Sequence, residues 1–309
     1  MSDYAYVADK AKKAFASLSS LERAVARAPS DKGLQINLMS VRRFAEQARQ
    51  EMERLAALNF IDVCQYRLVP EENSYGLEHV AKSFLSYQYL FSQIYDSVKN
   101  GPKSRASLGK EAEIESTLEF AYTYSGSLGV VLLAGNDRTF FEGKLDKPIE
   151  SLYRIMEIGG VSDVRDVAHS MGRAVVKRVH DWSDANAKAK FSTDIRWNRS
   201  DGRKLGQMVD HRKLEKIVGY IESTSDEKVS KIRVTGILVG ASLSSKSFHL
   251  VVPNGESYAG KFSLDFSYSG ELTLGKHYES EILMSDVYHY ATDKHDITYN
   301  IEKLTSVQV

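Results

Sequence analysis

The stretch that most constrains the fold lies at residues 116–134, STLEFAYTYSGSLGVVLLA. Leu118, Phe120, Tyr122 and Tyr124 alternate with smaller or polar residues, a period of two that turns one side of a strand toward a core. Ser125-Gly126-Ser127 supplies turn residues, and Val130 to Leu133 is a short unbroken apolar run that suits a buried strand. The pattern predicts a β-hairpin at the centre of the protein, with helices packed on one side of it.

Before that hairpin the chain reads as helix. Val7, Ala11, Ala14, Leu18, Leu21 and Val25 recur at spacings of three and four; after a break around Pro29 and Gly33 the pattern resumes at Leu38, Val41, Ala45, Ala48, Met52 and Leu55. A third run, Leu77, Val80, Phe84, Tyr87, Phe91, Ile94 and Val98, ends at Asn100-Gly101-Pro102, where Gly accepts a left-handed cap and Pro cannot continue a helix. Three such helices can share one seam, the first two as antiparallel neighbours. A plain three-helix bundle accounts for this; a coiled-coil arm for a protein partner and a homo-oligomer formed through these helices are the functional readings. Residues 60–69 between the second and third helices read as a strand. Within it Cys64 has an apolar setting without cations, which predicts a buried, inert thiol.

Composition narrows the function classes. The 309 residues carry 41 basic and 41 acidic side chains, so no overall field favours a nucleic acid or a membrane. A single cysteine excludes an intramolecular disulfide and a zinc–thiolate cluster. No apolar run approaches 18 residues, and the beginning lacks a basic segment followed by an apolar one, so a cytoplasmic protein without membrane contact is expected.

Charge is nevertheless uneven. Residues 165–216 hold 13 basic against 7 acidic residues, and both tryptophans, Trp182 and Trp197. Cations interleaved with aromatics can hold phosphates and stack bases. Arg173, Lys177, Arg178, Arg196, Trp197, Arg199, Arg203 and Lys204 are therefore the candidate nucleic-acid-binding residues. The competing reading is a solvated helical face, with one helix from Asp163, capped by Ser162, continuing through Val179.

Motifs for catalysis are missing: there is no P-loop, no G-x-G-x-x-G and no H-E-x-x-H, and Ser125 and Ser127 do not sit in a G-x-S-x-G elbow. No catalytic residue, cofactor or metal site is assigned. Among the histidines, His289 and His295 stand near Asp286, Asp293 and Asp296 and make the one local cluster to weigh for a cation. An enzyme would need a site assembled from separated residues, with Asp166, His169 and Arg173 the group to check.

After residue 226 strands take over, at 232–241, 247–252, 257–268, 278–283 and 297–304, separated by turn signals such as Pro253-Asn254-Gly255. Five short strands in this span predict a small barrel, OB-like or SH3-like, with Gly236, Gly240 and Gly260 at its corners. The fold class expected is thus α+β: an N-terminal helical bundle or hairpin (1–102), a central mixed region around a β-hairpin (103–226), and a small antiparallel β-barrel (227–309). The leading functional expectation is a non-enzymatic interaction protein, an adaptor, inhibitor or assembly subunit, with bacterial defence or phage counter-defence as one setting. The alternative is nucleic-acid binding through residues 165–216.

Overall fold

Proline 29 and the Asp31 side chain make the first turn of the chain. Helix α1 (Asp3–Arg27) stops before Pro29, and α2 (Lys32–Leu58) begins at Asp31, whose carboxylate accepts a hydrogen bond from the Leu34 N–H at 3.0 Å. That bond satisfies one of the N–H groups a helix start leaves without an intrahelical acceptor. The two helices pack along buried Ala11, Ala14 and Leu18 on one side and Ala45, Ala48, Met52 and Ala56 on the other. The computed structural model describes residues 3–72, 74–124, 128–139, 142–242, 244–269 and 272–307.

The chain divides into two compact units, 1–223 and 224–309. In the first, α1 and α2 are followed by β1 (Ile61–Pro70), α3 (Leu77–Asn100), α4 (Lys110–Glu115), β2 (Glu119–Tyr124), β3 (Leu128–Gly135), α5 (Asp146–Ile155), α6 (Val161–Met171), α7 (Arg173–Lys188), β4 (Phe191–Asn198), β5 (Lys204–Val209) and α8 (His211–Glu222). The five strands form one sheet in the order β2-β3-β1-β4-β5, every pair antiparallel.

Strand β1 is central because both of its faces find a core. Val63 enters the α1–α2 core with Tyr122 and Val131, where Phe15 stacks on the Tyr122 ring with centroids 5.2 Å apart. On the alternate positions Cys64, Tyr66 and Leu68 are fully buried toward the other helices. There the Tyr66 hydroxyl accepts the Trp182 indole N–H at 3.0 Å and meets the Ser83 hydroxyl at 3.0 Å, and Ser83 donates to Asn186 Oδ1 at 2.6 Å. A second knot lies one strand over: the Trp197 indole donates to the Tyr87 hydroxyl at 3.1 Å and its ring stacks on Phe91 at 5.1 Å. Burial pushes the Cys64 thiol up to about 12, which keeps it protonated and unreactive.

Several expectations change. The hairpin of β2 and β3 occupies one side of the sheet, and the organising strand is β1; the Ser125–Ser127 turn lies outside the described residues. Helix α3 does not join α1 and α2 in a bundle but packs on α7 and α5, because its apolar side meets the Tyr66 face of the sheet. The seam alanines Ala11, Ala14, Ala45 and Ala48 let α1 and α2 approach one another closely. A boundary at residue 102 is not a unit boundary, since β1 from the expected helical domain sits in the middle of the sheet. The expected long helix after Asp163 is broken at Gly172, which has φ +90°, and a Cβ there would lie 2.4 Å from the backbone N and O of Lys103. Ser162 lies inside α6, whose N-cap is Gly160. Outside the named strands, Arg138 and Gly143 form an isolated antiparallel bridge.

The second unit consists of β6 (Ser225–Ser242), β7 (Ser247–Val251), β8 (Ser257–Ser269), β9 (His277–His289) and β10 (Lys294–Ser306). The pairings close in the order β10-β8-β7-β6-β9 around a core of Leu238, Phe248, Leu250, Tyr278, Ile282, Ile301 and Leu304. The sheet is not wholly antiparallel: β10 runs parallel to β8 while pairing antiparallel with β9. Gly260 permits the parallel seam, since a Cβ there would lie 1.9 Å from the Tyr299 carbonyl oxygen.

Replacing Tyr66 by Phe keeps the ring and removes one hydroxyl, leaving the Trp182 indole N–H buried without an acceptor. Urea unfolding is expected to show a loss of about 1–3 kcal/mol with an unchanged m-value; an unchanged midpoint would show that the knot contributes nothing.

Candidate phosphate-binding trough

The α1–α2 pair packs on β1, β2 and β3. Beyond it, the same face of β1, β4 and β5 forms the floor of a trough of about 520 Å³, with Arg49 of α2 on its wall. Register places the floor residues. Arg67, Asp194 and Met208 make one cross-strand row, Gln65, Arg196 and Gly206 the next, and Asn198 and Lys204 the third, whose β1 member, Val63, lies in the α1–α2 core. Period two brings all of them to one face.

Among the described residues, four basic side chains, Arg49, Arg67, Arg196 and Lys204, line the trough with a single carboxylate, Asp194. That carboxylate is almost wholly buried and holds two arginines. Its Oδ2 lies 2.9 Å from Arg67 Nη2 and 3.1 Å from Arg196 Nη2, while its Oδ1 accepts from Arg196 Nε at 3.1 Å. The hydrogen bond to Asp194 raises Arg196 further above its ordinary value. Arg49 is raised as well, first by its hydrogen bond to Glu46, and it also pairs with Glu53 at 2.7 Å. Lys204 is exposed and makes no ion pair among the described residues.

A smaller recess of about 270 Å³ continues from the trough, sharing Asn198 and Lys204 and reaching the turn between β4 and β5 at Arg199 and Gly202. That turn is fixed from below. Arg199, 2% exposed at its side chain, pairs with Asp146 at 2.6 Å, Asp201 at 2.8 Å and Glu150 at 3.0 Å. Arg138 adds bonds to Asp146 at 2.7 Å and Asp201 at 3.2 Å, and the Ser200 N–H donates to Asp62 at 2.7 Å. Burial raises the Asp62 carboxyl above its ordinary value. At Asp201 burial also pushes upward, but the Arg203 N–H and the charges of Arg199, Arg138 and Arg203 outweigh it and hold that carboxyl below its ordinary value.

Of the eight residues singled out in the sequence, Arg196 and Lys204 line the trough, while Arg203 is exposed beside Lys204 but outside the lining and lies 3.5 Å from Glu150. Arg199 supports the turn from inside. Trp197 is a correction: its ring faces away from the trough into the core, where no base can reach it. Arg173, Lys177 and Arg178 lie on α7, away from this face; Lys177 pairs with Asp181, and Arg178 lies over the Tyr89 ring at 4.9 Å and lines a separate recess between α3 and α7. The sequence reading missed Arg49, Gln65 and Arg67. Their signal was present in β1, where Gln65 and Arg67 are polar residues two apart inside an apolar strand.

The other candidate groups separate. Of the histidines in the expected cluster, His289 faces Asp296 at 2.9 Å and His295 faces Asp286 at 2.7 Å. Among the described residues no group of three or more metal-ligating side chains converges. Asp166 and His169 on α6 and Arg173 on α7 line none of the recesses above. Among the described residues no helix is long and apolar enough to cross a membrane.

No family model matches the chain, and no curated protein does. A solved structure of apo-CusF residues 6–88 from Escherichia coli is similar to 28% of this chain and 99% of its own length, with 14% identity and a TM-score of 0.18, a level that carries no argument.

Because Asp201 is held below its ordinary value, its contribution to stability is present above pH 3.8 and is lost as pH falls through the lowered value. The difference in unfolding free energy between wild type and Asp201→Asn is expected to stay constant from pH 7 to pH 5 and to shrink below about 3.8; a difference that grows on acidification would contradict the pairing.

Proposed function

We propose that this protein is a non-enzymatic binding protein whose α+β unit holds a single nucleic-acid strand by its phosphates across the uncovered part of the sheet. The observation that carries the reading is the diagonal of cations formed by Arg67 on β1, Arg196 on β4 and Lys204 on β5, each one row and one strand from the last. Sheet geometry spaces diagonal neighbours about 7–8 Å apart, a step that suits successive phosphates of an extended strand. Gln65, Asn198 and Gln207 add amide donors, and Met208 offers an apolar contact. Among the described residues no aromatic side chain lines the trough, so the reading is one of backbone contact with little base preference.

A protein partner is the second reading. It is favoured by an apolar groove of about 400 Å³ between α3 and the β2–β3 pair, lined by Phe84, Leu85, Leu118, Phe120, Val130 and Leu132, with Leu85 and Phe120 largely exposed. Capture of one stoichiometric protein that survives nuclease treatment, and is lost in Phe120→Ser, would support it.

Fluorescence anisotropy with a labelled 12-nucleotide strand tests the first reading. Three phosphate contacts predict that log K falls with log salt at a slope of about −2, and Arg196→Gln and Lys204→Gln should each reduce it by about 0.7. Arg173→Gln and Lys177→Gln on α7 should leave affinity within about twofold. Absent or salt-insensitive binding would overturn the proposal.

A further inference from the structure

Asp194 is the one feature of the trough that phosphate binding alone would not call for, because a carboxylate among phosphates repels them. Its contacts supply a reason. Arg67 and Asp194 are direct partners across β1 and β4, and Arg196 stands two residues along β4 from Asp194 on the same face. The carboxylate therefore sits between two guanidinium groups and bonds to both, taking Nε and Nη2 of Arg196 and Nη2 of Arg67. Arg196 is largely exposed, and an unheld arginine there would sample many rotamers, each of which must be given up when a ligand binds. With its Nε and one Nη2 contact committed to Asp194, the guanidinium is fixed and its Nη1 remains for a ligand. Arg67 is held through Nη2 alone, and its Nε is buried without a hydrogen-bond partner among the described residues.

We infer that Asp194 is the positioning residue of the trough: it sets the Arg67 and Arg196 guanidinium groups as a preformed pair for two successive phosphates of a single strand. The inference rests on the strand-binding reading given above. It has a consequence opposite to that of simple charge. If Asp194 only offsets the cations, removing its charge strengthens binding and steepens the salt dependence. If it positions them, the gain in net charge is outweighed, because two long side chains must then be ordered by the ligand itself.

The experiment compares wild type, Asp194→Asn and Asp194→Glu with the same labelled 12-nucleotide strand over a salt series, after thermal unfolding has shown each variant to be folded. The expected result is that Asp194→Asn weakens binding roughly three- to tenfold and makes the salt slope shallower by about 0.7, one phosphate contact, while Asp194→Glu stays within about threefold of wild type. A wild type that binds while Asp194→Asn binds more tightly, with a steeper slope, overturns the positioning role alone. A wild type without salt-dependent binding overturns the strand-binding reading, and the role of Asp194 with it. Should Asp194→Asn fail to fold, Arg67→Gln, Arg196→Gln and the double variant carry the question. A shared clamp makes their losses non-additive, because either arginine alone leaves the other less well held; strictly additive losses count against it.

Discussion

The first unit depends on the buried hydroxyl of Tyr66. One oxygen atom ties strand β1 to α3 through Ser83 and to α7 through Trp182. Burying a hydroxyl or an indole N–H without a partner costs more than a typical net hydrogen bond returns, so the three elements are constrained to meet in one arrangement. Apolar contact alone would allow α3 and α7 to slide along the sheet; the polar knot fixes their register.

With that side settled, the opposite side of β1 is free to serve two ends. Val63 goes into the α1–α2 core, while Gln65 and Arg67 emerge beyond it as floor of the trough. A slip of one residue in the β1 register would exchange the two faces, placing Arg67 against α3 and Tyr66 in water. The tight core and the polar floor are thus set by the same register. Isolated ion pairs on a surface contribute little to stability, so the interest of the arginine–carboxylate pairs in the trough lies in the geometry they impose.

Much of the architecture was legible from local patterns. The 3/4 spacing located α1, α2 and α3, and alternation located the strands of the second unit, because in each case one face of the element is buried and the other wet. What failed was partnering. The apolar side of α3 looks like a third seam for α1 and α2, yet Tyr87 and Ser83 on it are matched to Trp197 and Tyr66, which only the tertiary structure brings there. Strands β4 and β5 were hidden because β4 alternates a charged residue with large apolar ones, and its charges, Asp194 and Arg196, read as part of a basic segment. Trp197 shows the limit of composition: its neighbour Arg196 lies in the trough, and alternation turns the indole itself into the core.

The central place of β1 has a further cost in time. Its two neighbours, β3 and β4, both lie later in the chain, β4 more than a hundred residues beyond it. On a ribosome adding about 5–20 residues per second, β1 waits on the order of ten seconds before both its edges can be paired. Throughout that interval the nascent chain exposes an apolar strand with at least one open hydrogen-bonding edge, the kind of surface that chaperones shield and that mispairs when synthesis is crowded.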